Sequence, residues 1–164
     1  MCQKQTAWRR AFVSDKFTLD KRLAAESVFA AALPLCDVRL MREQRWFWLL
    51  LVPRVKGAAE IFDLSAAQRA QSMEEINFAA KGLQRAAPCD KINIGALGNI
   101  VRQLHIHIIA RIKGDAGWPG PVWGRGARQD LPPAGQAARL TAIQAALAAG
   151  VGGDMGPKLS NLLP

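Results

Sequence analysis

The sequence predicts a single α+β core built around an antiparallel sheet, and three observations carry that prediction. "PLCDVRLMREQRWFWLLLVPR", residues 34–54, alternates through Cys36, Val38 and Leu40, breaks at the polar "REQR", and resumes as an almost continuous apolar run. That is the pattern of a hairpin whose second strand is buried on both faces. "DLSAAQRAQSMEEINFAAKGLQRAA" places Ala66, Met73, Ile76, Phe78 and Leu83 at helical spacing, from about Ser65 to before Pro88. "CDKINIGAL" and "VRQLHIHIIARIK" supply two further strands, joined by Gly98-Asn99, a dipeptide suited to a turn or to backbone amides that meet an anion.

The elements follow in chain order. "TLDKRLAAESVFAAAL", residues 18–33, reads as an amphipathic helix capped by Thr18 or Asp20, with Leu19, Leu23, Val28 and Phe29 near one face and Pro34 as its stop. The hairpin comes next, then the long helix, expected to cover one face of the sheet, then the last two strands. The four strands are expected to form an antiparallel meander. After Lys113, "GDAGWPGPVWGRGARQDLPPAG" is too rich in Gly and Pro for a long helix or a central strand. Trp118 and Trp123 favour order there, since exposing both would leave large apolar area in water. "AARLTAIQAALAAG" reads as a short helix closed by Gly150, and residues 151–164 are expected to be flexible. The expected division is a domain over residues 1–124 and a C-terminal extension over 125–164.

Length and composition bound the function. The 164 residues suffice for one core without disulfide staples, and 50% hydrophobic with 21% charged residues is ordinary for a folded globular chain. The longest apolar run, "WFWLLLV", is far short of a bilayer span, and "MCQKQTAWRRAF" has no apolar stretch behind its basic residues. Three cysteines, Cys2, Cys36 and Cys89, lack metal-type spacing and fit a reducing compartment, so a cytoplasmic protein with no membrane partner is expected. The net charge of +9, concentrated in the first third of the chain, favours anionic ligands such as nucleotides or nucleic acid.

Both histidines of the chain lie in "QLHIHIIAR", residues 103–111. Strand alternation puts Gln103, His105 and His107 on one face and sends Leu104, Ile106 and Ile108 into the core. Three readings are open: a structural pair, a metal site, or a nucleophile with its neighbour. A zinc site needs at least three protein donors, and neither Cys89 nor Asp90 has a spacing that supplies the third. A nucleophile needs one neutral imidazole, oriented through its other nitrogen, in a donor-rich surround.

"KINIGALGNIVRQLHIHIIAR", residues 91–111, resembles the histidine triad (HIT) family, whose signature is His-φ-His-φ-His-φ-φ after an Asn-containing strand and a Gly-Gln/Asn turn. "LLLVPR", "EIFDLS" and the first helix sit where that family has them, so the resemblance covers roughly residues 17–124, and "WPGPVWG" after "QLHxH" resembles a bacterial branch of it. The resemblance implies a HIT-like α+β fold: an antiparallel sheet of about five strands, helices on one side, doubled by a homodimer into a larger sheet. It implies a nucleotide substrate and no cofactor or metal. The expected activity is hydrolysis or nucleotidyl transfer at the α-phosphate of a nucleoside phosphoramidate or phosphoanhydride, through a covalent nucleotidyl-histidine.

Residue by residue, the resemblance makes His105 the nucleophile and His107 a phosphate contact, with Asn93 helping to hold the nucleotide and Gly98 with Asn99 forming the phosphate-side turn. Strand parity makes Arg111, not Arg102, the basic neighbour of the phosphate. The stiff apolar strap from Trp118 to Gly124 is expected to be ordered near a nucleotide pocket, its own or the partner's, with Trp123 in contact; the alternative is that its tryptophans only seal the core or the dimer contact. Three departures stand out. Gln103 replaces the first triad histidine, keeping a hydrogen bond but no titration. Ile100 stands where many members carry Ser or Thr. "MREQ" replaces the stretch that grips the ribose, leaving Arg42 and Glu43 as substitutes. These departures and the positive charge keep a rival in view: a non-catalytic module binding a nucleotide or a nucleic-acid end.

Overall fold

The computed structural model describes residues 17–150; the expectation for residues 151–164 lies outside them. Asp20 caps a short helix α1 (Lys21–Glu26), its carboxylate accepting from the backbone N–H groups of Arg22 and Leu23. The chain then extends into β1 (Ser27–Ala32), so the helix expected over 18–33 is a single turn and a half followed by an edge strand. Two causes are visible. Ser27 donates its hydroxyl back to the Leu23 carbonyl and receives Arg39 Nε at 2.8 Å, which fixes the exit from the helix. A bulge between Phe29 and Ala31 then buries Ala30 and Ala31 in succession, hiding the period-2 signal of a strand behind an alanine-rich run.

The hairpin is as expected: β2 (Cys36–Met41) pairs antiparallel with β3 (Phe47–Pro53), Leu40 opposite Leu49, and β3 is buried at every position. Helix α2 (Ala66–Ala86) starts at Ser65 with a reciprocal cap to Gln68. Its inner face differs at two points from the expected one: Ala66 is exposed and Met73 is 56% exposed, while Glu75 is buried. The Glu75 carboxylate accepts from the backbone N–H groups of Leu35 and Cys36 at 2.7 and 2.8 Å, tying α2 to the β1–β2 turn.

The last strands, β4 (Lys91–Gly95) and β5 (Ile106–Arg111), complete a five-stranded antiparallel sheet in the order β1-β2-β3-β5-β4. The meander is therefore corrected: β5 inserts between β3 and β4. Burial explains the choice, because β5 is buried along its whole length whereas no position of β4 is more than half-buried, and only the former suits the sheet's interior. The C-terminal helix α3 (Pro133–Gly150) is longer than expected, opening on Pro133 at a position where a missing N–H is harmless. Gly82 on α2 lets Leu147 of α3 close against it; a Cβ there would lie 2.8 Å from Leu147 Cδ2.

Helices α2 and α3 cover one face of the sheet, where Val38, Leu40, Leu49, Leu51, Ile106 and Ile108 meet Phe78, Leu83, Ile143 and Leu147. The opposite face holds a smaller cluster, Trp46, Trp48, Leu50, Val52, Ile109 and Val122, with Leu23 of α1 packed beside it. No helix among the described residues is long and apolar enough to cross a membrane.

Candidate active site

The smaller face is not closed by helices, and a cavity of about 620 Å³ opens on it. His105 and His107 line it together, their ring centroids 4.8 Å apart, as the alternation of "HIH" requires. Each ring commits one nitrogen to the protein. His105 Nδ1 lies 2.7 Å from the backbone carbonyl of Gln103, which only accepts, so Nδ1 carries the proton and Nε2 keeps a lone pair. His107 Nδ1 receives the indole N–H of Trp48 at 3.0 Å; the indole only donates, so this Nδ1 is the lone-pair nitrogen and Nε2 carries the proton. The neighbouring histidines are held in opposite tautomers. One offers a nucleophile, the other a neutral hydrogen-bond donor. Burial, and after it the adjacent His105, pushes His107 down to about 3, so its ring stays neutral throughout the physiological range.

Trp48 lies on β3, two residues before Leu50, the residue opposite His107, and so on the same face, and Trp123 closes the other side of the ring at 5.7 Å between centroids. Trp123 reaches that place because Gly95, paired with His107 across β4 and β5, has no side chain; a Cβ there would stand 2.8 Å from Trp123 Cη2. Gly98 and Asn99 also line the cavity, Gly98 in the left-handed region at φ 74°. Glu43 lies in the wall, buried, with its carboxylate taken by Arg45 Nε and Nη2 at 2.9 and 2.7 Å. Burial alone would raise Glu43, but the side-chain and backbone hydrogen bonds from Arg45 outweigh it and hold the carboxyl below its ordinary range.

Other expected site residues are placed elsewhere. Gln103 turns its side chain away from the histidines: its amide oxygen accepts from Asp20 N–H and its Nε2 donates to the Thr18 carbonyl, fastening the approach to α1. It orients His105 through its backbone, not its amide. Arg111 shares the parity of His107, yet it is 1% exposed and does not reach the cavity. Its guanidinium forks onto Asp115 at 2.7 and 2.8 Å and donates to Asn93 Oδ1 at 2.7 Å, which occupies Asn93 as well. That bond holds the Asp115 carboxyl well below the usual carboxylate range. Arg42 also lies outside the cavity lining. Among the described residues no group of three or more His, Cys, Asp or Glu converges as a metal site would require.

Sequence reasoning passed over Trp48, Arg45 and the residues after 124 that reach the cavity, Gly126, Arg128 and Asp130. Trp48 had a signal: "WFW" repeats at period 2 on a strand already assigned, as "HIH" does. The tail residues had none, because they lie in an irregular segment. Their position is set by Arg45, whose guanidinium donates to the carbonyls of Arg125 and Ala127, on a turn that Arg139 of α3 holds in place by donating to the carbonyls of Glu43, Gln44 and Trp46. Gln129 adds its carbonyl, accepting from Gln44 N–H at 2.8 Å.

A five-stranded antiparallel sheet with two long helices on one face and a histidine pair on the other defines a histidine-centred α+β protein. The model of the HIT domain matches residues 22–114, and the chain belongs to the HIT-domain family. Its fold and sequence are similar to the crystal structure of a histidine triad protein from Sinorhizobium meliloti 1021, with 46% identity over 79% of this chain and 96% of that one and a TM-score of 0.77. Histidine triad proteins from Bradyrhizobium japonicum and Marinobacter aquaeolei VT8 are similar at 41% and 40% identity, over 80% and 81% of this chain and 98% and 97% of theirs, each with a TM-score of 0.77. No functionally curated protein matches the chain.

Proposed function

We propose that this protein binds a nucleotide in the cavity and transfers its nucleotidyl group, to water or another acceptor, through a covalent intermediate on His105. The observation that carries the reading is the pair of opposite tautomers: an Nε2 lone pair on His105 beside an Nε2–H on His107. An imidazole held this way attacks phosphorus without first losing a proton, and a neutral N–H beside it stabilises charge growing on the phosphoryl oxygens. Gly98 and Asn99 bring backbone and amide donors to the same cavity, and the indoles of Trp48 and Trp123 give it an aromatic wall against which His107 packs. Family membership supports the same class of chemistry. Incubation with an α-³²P-labelled nucleoside diphosphate should leave acid-labile label on His105 of the native protein and none on His105→Ala. A native protein that binds nucleotide and never takes up label overturns the covalent route.

A second reading, a nucleotide or nucleic-acid-end binder without turnover, draws on Ile100, which stands at the cavity lip 75% exposed and brings no hydroxyl to it. Affinity for oligonucleotides that falls steeply with salt, with no turnover of nucleotides, would favour it. The homodimer belongs to the proposal too. β4 is an edge strand with Ile94 exposed on it, and two chains per particle by light scattering is the expected result.

A further inference from the structure

The cavity wall, among the described residues, contains no Ser, Thr, Cys or Lys, and the chain has no tyrosine. Its three carboxylates each meet an arginine: Glu43 meets Arg45 at 2.7 Å, Asp130 meets Arg128 at 2.8 Å, and Glu26 meets Arg22 at 2.9 Å. A guanidinium does not give up a proton in this range. The histidines remain. His105 uses its Nε2 lone pair for attack and keeps its Nδ1 proton on the Gln103 carbonyl. His107 would have to become an imidazolium to serve as an acid, and its Nδ1 faces an indole N–H, so protonation there would set two donors against each other. The surroundings of His107 offer no relief. β3 presents Trp48 and Leu50, β4 presents Gly95, the tail presents Trp123, and His105, the one titratable neighbour among them, opposes a second positive charge.

We infer that the cavity acts on nucleotides whose α-phosphate bears a leaving group that departs without a proton, a phosphoanhydride and not a phosphoramidate. The inference rests on the nucleotidyl-transfer reading above. In the first step the Nε2 pair of His105 forms a bond to the α-phosphorus. The bridging P–O bond breaks with its electrons on the departing oxygen, which leaves as a phosphate or polyphosphate anion. His105 is then an N-phosphorylated imidazolium whose Nδ1 proton stays on the Gln103 carbonyl. In the second step a water oxygen bonds to phosphorus, the P–N bond returns its pair to Nε2, and the water's proton passes to solvent. Neither step draws a proton from the wall. A phosphoramidate would have to expel an amide anion, far too basic to leave, unless a proton reached its nitrogen.

Leaving-group dependence tests this on the native protein. The 4-nitrophenyl esters of the four common ribonucleoside 5′-monophosphates identify the nucleoside turned over fastest. A series of aryl esters on that nucleoside, together with its 5′-diphosphate and 5′-phosphoramidate, is then followed by single turnover at pH 8, with mass analysis of His105. The expected result is a rate that falls about tenfold for each unit by which the phenol becomes less acidic. The phosphoramidate should trail the diphosphate by at least about 10²-fold, the effect of a missing general acid. A shallow dependence, or a phosphoramidate as fast as the diphosphate, with the adduct still on His105, overturns the inference and leaves the covalent route standing. No adduct and no turnover with any ester, the most activated included, overturns the covalent route and the inference with it.

Discussion

At the N-terminal end of β5, His105 and His107 each give one ring nitrogen to the protein and leave the other to the cavity. At the C-terminal end, on the same face, Arg111 gives its guanidinium to Asp115 and Asn93 and leaves nothing to the cavity. The strand is buried along its whole length, so polar character and burial do not separate the two ends. What separates them is the loop that meets each end. The turn after Arg111 brings a carboxylate four residues on, which also accepts from the backbone N–H groups of Ile112 and Gly117. The histidines meet a carbonyl and an indole, each of which engages one nitrogen only. A buried polar group is chemically available to the extent that its neighbours leave its hydrogen-bonding capacity unfilled.

Four experiments break or sharpen that contrast, the largest effect first. His105→Ala should lower turnover by about 10⁴-fold or more while leaving the far-ultraviolet circular dichroism unchanged, because its ring serves the cavity and not the fold. Asp115→Ala should cost about 3–5 kcal/mol of stability by stranding the buried Arg111, read from denaturant midpoints. The pH dependence has the matching sign: Asp115 is depressed in the folded state, so its contribution is present above the ordinary aspartate range and fades on acidification below it. Gly95→Ala places a methyl against Trp123 and should cost about 1–3 kcal/mol, with a change in tryptophan fluorescence reporting the displaced wall. The mildest change is Gln103→Ala, which should alter the single-turnover rate by less than about tenfold, since the orienting atom is a backbone oxygen. It should lose about 1–2 kcal/mol of stability with the bonds to Thr18 and Asp20.

His107 supplies a further pH signature. Its pKa is low in the fold and near 6.5 in the unfolded chain, so unfolding takes up a proton between those values. Stability is therefore complete above about pH 6.5 and falls as the pH drops towards about 3. Denaturant midpoints of the native protein and His107→Gln, compared at pH 7 and pH 4.5, should show the difference between them shrinking at the lower pH.

The sequence made much of this legible where local rules decide. Period-2 alternation alone places His105 and His107 on one face and Ile106 and Ile108 on the other, and the all-apolar run of β3 announces a central strand. Legibility failed where a distant partner decides. Parity put Arg111 on the working face correctly, but its fate depended on the irregular turn that swings Asp115 back onto it and on Asn93, 18 residues back on another strand. The alanines of β1 favour a helix, and only pairing with β2 extends them. Gln103 invited a reading through its side chain, while its carbonyl, which any residue would have supplied, does the orienting. The order of β4 and β5 in the sheet is likewise a matter of which strand the helices cover, information that no single segment contains.

Arg139 has a bearing on the order in which the protein is made. It lies 96 residues beyond Glu43 and holds that residue's turn by three carbonyls, while Gln129 adds its own bonds to the same turn. A nascent chain translated as far as Arg111 already carries both histidines and every strand of the sheet, yet the turn that bears Glu43 has its own bonds to Arg45 and lacks those from Gln129 and Arg139. The cavity wall is complete only when Gly126, Arg128 and Asp130 have emerged, and its Glu43 turn is braced only when α3 has docked. The wall opposite His105 is thereby deferred until the segment beyond the last strand has been made.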